Sequence, residues 1–272
     1  MELGGRVGAA VSTPGRTPDV FADPPGAARR WLFTDIEFKV LCDDLRRGKL
    51  PKPFTFTSRI RSADAYAAAR EHARRTLDAR SDTAFAAMAG AIVRPDVIVV
   101  ARGWDERDPQ APESCTYVHA VRQGTRGYVL RQRVGETTQH SNGFDVVECP
   151  VAELAAAVAG LLPAATAGAR PAFTVQSGSA SETETTAAGA RAFFDTPAAG
   201  TGYLRVLQSR LHFRLPGILQ TSAVWRDLPG DGRYLIRSEG ARSTVTGMDH
   251  RQLSGWIDGW IDAIVHRLDS GE

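Results

Sequence analysis

Two stretches of the chain carry the same order of elements, and this repeat constrains the fold most strongly. In residues 96–162 an apolar strand is followed by a hairpin, another strand and a helix, and the same order returns in residues 203–268. The repeat lies in element order and not in residue identity. Two such halves joined edge to edge predict an α+β fold, with an antiparallel sheet, helices beside it and a pseudo-two-fold relation between the halves.

Each half contains a hairpin, which shows as two alternating apolar runs around a glycine-containing loop. The first pairs residues 117–121 with 128–134, and the second pairs residues 222–226 with 233–237. This spacing is typical of antiparallel hairpins. We therefore expect the two hairpins to occupy equivalent places in two superposable halves.

Three helices begin with recognisable capping residues. Thr34 stands three residues before Glu37, Asp249 stands three residues before Gln252, and Ser62 precedes an alanine-rich run. The last helix carries an apolar face at helical spacing, made of Leu253, Trp256, Ile257, Trp260, Ile261, Ile264, Val265 and Leu268. Its two tryptophans either pack in the core or meet a partner helix. If Trp260 is core, its replacement by alanine should cost about 3–5 kcal/mol.

The remaining segments predict a division into four parts. Residues 1–29 are rich in Gly, Ala and Pro without a period, so they read as a flexible tail. Residues 30–162 form the N-terminal half, and residues 193–272 form the C-terminal half. Between them, residues 163–192 read as a linker region with one short strand at 173–175.

Charge and apolar content exclude two classes of partner. The chain has 272 residues with 33 Lys and Arg against 31 Asp and Glu, so it lacks the clustered basic excess of a nucleic-acid-binding protein. No stretch approaches the roughly 20 apolar residues of a membrane span, and the N-terminus lacks a signal-peptide core. The three cysteines have no disulfide or zinc spacing. These features predict a cytoplasmic protein that binds neither nucleic acid nor membrane.

The sequence shows no motif of a known catalytic or metal site. It contains no phosphate-binding glycine loop, no Gly-x-Ser-x-Gly elbow and no His-Glu-x-x-His helix. We therefore expect no catalytic residue, no metal and no cofactor. Two alternatives stay open at this point. One is a small enzyme, a hydrolase or transferase, with an unrecognised site, and the other is a homo-oligomeric structural component.

The loop between the first two long strands is the strongest candidate for a binding site. It runs from Trp104 to Ser114, longer than the about two to five residues that a hairpin needs. Its charges are too costly to bury without partners, and its two prolines lower the ordering cost of association. The predicted partner-binding residues are Trp104, Asp105, Glu106, Arg107, Asp108 and Trp225.

These residues have alternative interpretations. Both tryptophans could pack in the core, and Arg107 could be a solvated surface charge. If the loop serves only binding, replacing residues 105–112 by a short Gly-Ser turn should weaken partner capture and leave thermal stability nearly unchanged.

Two passages resemble a known family. The run WLFTDIEF at residues 31–38, followed by LPKPF at 50–54, resembles the opening of EspG proteins, where an L-T-x-x-E-F-like helix start precedes an L-P-x-P exit. The run GRYLIR at residues 232–237, then Asp249 and the final amphipathic helix, is similar to that family's closing hairpin and helix. The resemblance spans about residues 30–268.

The resemblance implies both a fold and a function. EspG proteins have a central, mainly antiparallel sheet with flanking helical bundles in two pseudo-symmetric halves. They are cytosolic, substrate-specific chaperones of actinobacterial type VII (ESX) secretion that keep PE–PPE heterodimers soluble by gripping the apolar tip of the PPE bundle. Their contacts come from the sheet, the loop between the first two long strands and the C-terminal helical region. By resemblance, this chain would bind PE–PPE-like substrates as a monomer or weak dimer.

Overall fold

The computed structural model describes residue 21 and residues 28–176, 184–209 and 217–271. Within these ranges ten strands form one antiparallel sheet in the order β1-β5-β4-β3-β2-β7-β8-β9-β10-β6. The strands are β1 (Arg30–Phe33), β2 (Val97–Trp104), β3 (Thr116–Gln123), β4 (Arg126–Val134), β5 (Ser141–Pro150), β6 (Phe173–Gln176), β7 (Gly200–Gln208), β8 (Gln220–Leu228), β9 (Gly232–Glu239) and β10 (Arg242–Gly247).

The strand order is the same when it is followed inward from either edge. From one edge it runs β1-β5-β4-β3-β2, and from the other it runs β6-β10-β9-β8-β7, so each half contributes five strands in matching order. The two hairpins therefore occupy matching positions in the order, and their superposition stays a prediction. The edge strand β6 lies within residues 163–192, so the predicted linker region contributes a strand to the sheet. From here on, "N-terminal half" means residues 30–162, and "C-terminal half" means residues 173–271, which include β6.

Six α-helices accompany the sheet in the described residues. They are α1 (Asp35–Arg46), α2 (Ala63–Ala79), α3 (Thr83–Val93), α4 (Leu154–Gly160), α5 (Glu184–Asp195) and α6 (His250–Ser270). The predicted capping residues are confirmed: Thr34 with Glu37 and Asp249 with Gln252 form reciprocal capping boxes, and the side chain of Ser62 caps α2. The α+β prediction is confirmed as well.

Helices cover the two faces of the sheet differently. On the face that we call the front, α1, α2 and α3 pack against the N-terminal half through an aromatic cluster. Its rings stack closely, with Phe38 and Phe144 centroids 4.2 Å apart. On the front of the C-terminal half, α5 packs a smaller cluster around Phe193, Tyr234 and Val245.

The opposite face, the back, holds one core that spans both halves. Helices α4 and α6 lie side by side behind the central strands and bury residues of both halves, including Val99, Val206 and Leu253. Trp256 and Trp260 of α6 are half-buried and pack against this core. The core-packing alternative for these tryptophans is thus the one that the structure shows.

The predicted tail, residues 1–29, lies outside the described residues except at three positions. Phe21 is one of them, and it is buried at 2% exposure in the back core. The guanidinium carbon of Arg131 lies 4.2 Å from its ring centre, and Arg30 donates to its carbonyl oxygen. A flexible tail does not account for this residue, because Phe21 gains apolar burial and two arginine contacts.

Candidate functional site

The loop between β2 and β3 spans residues 105–115 at the boundary between the two halves. Trp104, the last residue of β2, pairs with Thr201 at the start of β7. Residues 106–110 are exposed, and a short 3-10 turn at Pro112–Ser114 returns the chain to β3. The loop therefore presents a charged segment to solvent beside the central pair of strands.

Hydrogen bonds within the loop give it a defined shape. The backbone N–H of Asp105 donates to Oγ of Ser114 at 3.2 Å across the loop's base. The carboxylate of Asp105 accepts from the guanidinium of Arg107 at 2.6 and 2.9 Å and from its backbone N–H at 2.9 Å. These bonds hold the pKa of Asp105 at about 2. Arg107 is therefore paired within the loop in the free protein, although its side chain is 60% exposed.

Glu106 crosses from the loop to the C-terminal half. Its Oε2 accepts from the backbone N–H of Ala198 at 2.6 Å and from Nη2 of Arg226 at 2.7 Å. Partial burial acts to raise the pKa of Glu106, but the hydrogen bonds from Ala198 and Arg226 and the charge of Arg226 outweigh it, so the pKa is lowered. Asp108 is exposed, and its Oδ1 accepts from the backbone N–H of Gln110 at 3.3 Å.

The ion pair between Glu106 and Arg226 makes the loop contribute to stability. Arg226 is only 6% exposed, and a loop shortened by residues 105–112 would leave this buried cation without its carboxylate partner. Loss of one partner of a buried ion pair is strongly destabilising. The shortened loop should thus lower stability, contrary to the expectation from the sequence alone.

Trp104 lies at the base of the loop. It ends β2 rather than belonging to the loop, and it is half-buried against the front cluster of the N-terminal half. The guanidinium carbon of Arg102 lies 5.7 Å from its ring centre. Trp104 therefore lies on the front face where the loop begins.

Trp225, the other predicted tryptophan contact, lies in the core. It is 1% exposed, and its indole packs in the back core beside two glycines of neighbouring strands. A Cβ placed on Gly202 would lie 2.3 Å from the indole, and one on Gly103 would lie 2.7 Å from it. The prediction of Trp225 as a contact residue is wrong for this conformation, because the glycines seat its ring inside the molecule.

Beside Trp104, none of the described helices lies over one strip of the front of the C-terminal half. Val224 of β8 is 43% exposed there, next to Tyr203 of β7. Arg205 and Ser222 lie one alternation further along these two strands. All four residues line a groove of about 550 Å³ that also reaches residues of the back face, Ala223 and Trp260. We call these four residues the front strip. The sequence carried a signal for it, since strand alternation places Val224 and Trp225 on opposite faces.

A second groove lies among the helices of the N-terminal half. It has a volume of about 630 Å³ and includes apolar residues of all three helices, among them Leu45, Leu77 and Phe85. Gln123, at the end of β3 away from the loop, also lines it. This groove is therefore separate from the loop and the front strip.

Burial shifts the pKa of three titratable side chains in the core. Burial raises the pKa of Cys42 and of Cys149 to about 12, so both thiols stay protonated. Burial lowers the pKa of His119 to about 4. Over the ranges that the structure describes, no three His, Cys, Asp or Glu side chains gather as a metal site. Among the same residues, no helix is long and apolar enough to cross a membrane.

Comparisons with known proteins agree with this architecture. The model of the EspG family matches residues 34–259. The fold is similar to that of the type VII secretion chaperone EspG5 of Mycobacterium tuberculosis, solved in complex with a PE25–PPE41 dimer, at 13% identity and a TM-score of 0.52 over 86% of this chain and 96% of that one. No curated protein matches the chain. Because the family model covers most of the chain, this protein belongs to the EspG family.

Proposed function

We propose that this chain is a substrate-specific chaperone of a type VII (ESX) secretion system, which binds PE–PPE-like proteins and keeps them soluble before export. The match of residues 34–259 to the EspG family carries the proposal. The similar fold of EspG5 supports it, because that protein was solved with a PE25–PPE41 dimer. Binding takes place in the cytosol and uses no cofactor, metal or catalytic residue.

The loop and the front strip form the surface that we propose for this partner. Tyr203, Val224 and the exposed part of Trp104 supply apolar contact area, while Arg205 and Ser222 supply polar groups beside it. Protein interfaces combine such an apolar centre with a polar rim, and aromatic residues and arginines dominate their energetics. The charged loop lies at one side of this surface and adds to the area that a partner can contact.

This arrangement fits a helical-bundle tip that exposes apolar side chains. An apolar tip loses contact with water when it lies on the strip, and this burial is the main driving force of association. Trp225 supports the surface from the back of the same strand and does not touch the partner.

The test is co-expression of the tagged chain with each PE–PPE pair of the source genome, with PE25–PPE41 as the reference pair. Val224→Glu places a charge in the centre of the front strip without disturbing the core, since the side chain is 43% exposed. Leu45→Glu is the matched control, because Leu45 is 40% exposed but lies on the helical layer of the N-terminal half.

We expect the unmodified chain and Leu45→Glu to co-purify with a PE–PPE pair and Val224→Glu to lose it. Capture of no pair by the unmodified chain would contradict the proposed function. Undiminished capture by Val224→Glu would instead move the interface away from the front strip.

A further inference from the structure

One buried guanidinium joins three segments of the molecule. Arg226 lies on the front of β8 at 6% exposure, between Thr201 of β7 and Tyr234 of β9. Its nitrogens donate to the end of α5, to the connection that follows α5 and to the loop between β2 and β3. The side chain thus links the sheet, a helix end and the loop at one point.

The contacts with α5 explain why an arginine is held at this position. Nη1 donates to the carbonyl oxygens of Phe193 at 3.0 Å and Phe194 at 3.3 Å, and Nη2 donates to that of Thr196 at 2.8 Å. The last carbonyls of a helix have no partner within the helix, and a cation at this end is favoured by the helix dipole. Arg226 therefore closes the C-terminus of α5.

Glu106 supplies the negative charge that this arrangement needs. It approaches Arg226 at 2.7 Å and accepts from Ala198 at the same oxygen. A buried cation is tolerated when it is paired and its donors are satisfied. The side chain of Glu106 is 38% exposed, whereas that of Arg226 is 7% exposed, so the pair lies at the boundary between the solvent-exposed loop and the core.

The pair fixes the loop at a third point. The strands hold its two ends, and the bond from Asp105 to Ser114 closes its base. Only Glu106 ties the described part of the loop to the C-terminal half by side-chain hydrogen bonds. Without that tie, residues 106–110 are exposed and have local contacts alone.

We propose that Arg226 and Glu106 are positioning residues, which hold the loop between β2 and β3 in the orientation that a partner protein meets. The proposal rests on the proposed chaperone function. Arg226 is too deeply buried to touch a partner, so any effect of its removal on binding must act through the loop and α5. A loop that is already ordered loses less conformational entropy on association, which strengthens binding without any new contact.

The test measures loop order and affinity on the same set of variants. Glu106→Ala removes the tie from the solvent side, Arg226→Met removes it from the buried side while keeping much of the side chain's volume, and the double variant combines them. Glu106→Gln keeps an acceptor oxygen and should rescue part of the effect. Asp231→Ala is the matched control, since Asp231 also accepts from a backbone N–H and an arginine, together with the hydroxyl of Tyr234, but in the β8–β9 turn.

Amide hydrogen exchange of residues 105–115 and of Ala198 reports loop order, and titration with the co-purifying PE–PPE pair reports affinity. We expect Glu106→Ala and Arg226→Met each to speed exchange in the loop and to weaken binding by about tenfold, with no further loss in the double variant. Glu106→Gln should give intermediate values. Asp231→Ala should leave both readouts within about twofold of the unmodified chain.

Three outcomes would overturn the positioning role while the chaperone function stands. They are unchanged loop exchange in Glu106→Ala, faster exchange with unchanged affinity, and weaker binding in Glu106→Ala but not in a folded Arg226→Met. The last would make Glu106 a direct contact. If Arg226→Met or Glu106→Ala does not fold, Glu106→Gln, which keeps an acceptor oxygen for Arg226, carries the test: unchanged loop exchange or unchanged affinity in this variant would then overturn the positioning role. Failure of the unmodified chain to bind any pair would overturn the chaperone function and, with it, the positioning role.

Discussion

In the part of the chain that the structure describes, three helices cover the front of the strands in the N-terminal half, whereas α5 is the one helix over the front of the C-terminal half. The cause is the length of chain between the first two strands of each half. Residues 34–96 separate β1 from β2 and hold α1, α2 and α3, while residues 177–199 separate β6 from β7. The same strand order therefore carries a sealed front in one half and a partly open front in the other.

This difference places the proposed binding surface. In the N-terminal half, front residues such as Tyr117 and Leu130 are fully buried beneath the helices. In the C-terminal half, Val224 on the front of β8 stays 43% exposed. The proposed binding surface thus lies where no helix of the described residues covers the sheet.

The back of the sheet shows the opposite behaviour, since both halves share one core there. Trp225 joins them by packing across Gly202 of its own half and Gly103 of the other. The halves therefore differ on the front and depend on each other at the back.

The largest expected effect tests this shared core. Trp225→Ala should lower the free energy of unfolding by about 3–5 kcal/mol, because it removes a fully buried indole and leaves a cavity. Val224→Ala, on the other face of the same strand, should change it by less than about 0.5 kcal/mol. Urea unfolding measures both. Equal, small effects would show that Trp225 is not core and would reopen its role as a contact.

The sealed front of the N-terminal half can be tested by pH. His119 is 2% exposed, its Nδ1 lies 2.7 Å from the carbonyl oxygen of Lys52, and its Nε2 has no hydrogen-bond partner among the described residues. Burial lowers its pKa from 6.5 to about 4 in the folded state. Between pH 6.5 and 4 the imidazole of His119 is protonated in the unfolded chain but neutral in the folded one, so protonation favours unfolding. The free energy of unfolding therefore has its full value above about pH 6.5 and falls by up to about 3 kcal/mol as the pH drops to 4.

The measurement is urea unfolding at several pH values between 7 and about 4. His119→Gln should make the free energy of unfolding vary less with pH. His72→Gln, on the exposed side of α2, should leave this pH dependence unchanged. A His119→Gln protein with the same pH dependence as the unmodified chain would contradict the sealed position of the imidazole.

The smallest effect concerns α6, which lies behind both halves. Trp260 is half-buried, so Trp260→Ala should cost about 2 kcal/mol, less than the ~3–5 kcal/mol expected from the sequence on the assumption of full burial. Ile257 lies about one turn earlier and is fully buried, so Ile257→Ala should lower the free energy of unfolding by more than Trp260→Ala does. Thermal unfolding of the two variants shows which loss is larger, and a larger loss for Trp260→Ala would contradict the partial burial of its ring.

Much of this fold was predictable because its signals are local. Capping boxes such as that of Thr34 and Glu37 act over three residues, and strand alternation gave both hairpins. The edge strand β6 was harder to assign to a half, because four residues in a polar stretch do not show which strand they pair with. Its pairing with β10 is a property of the assembled sheet.

The geometry of the candidate site was predictable only in part, because of distance along the chain, and its role in binding stays a prediction. The loop was found from its length and polarity, but the partner of Glu106 is 120 residues away and left no local signal. Trp225 was misassigned because nothing in its own neighbourhood shows that Gly103 and Gly202 make room for its ring. Asp105 and Arg107 were named as contacts, and their mutual pairing depends on a turn geometry that spacing alone does not fix.

The most direct test of the chaperone function is the composition of the complex in solution. The purified chain is mixed with a co-purifying PE–PPE pair, and the mass of the eluting species is measured by size-exclusion chromatography with light scattering. We expect one assembly with a single copy each of the chaperone, the PE protein and the PPE protein, which Val224→Glu prevents and Leu45→Glu does not. Separate elution of the chain and the pair would contradict it.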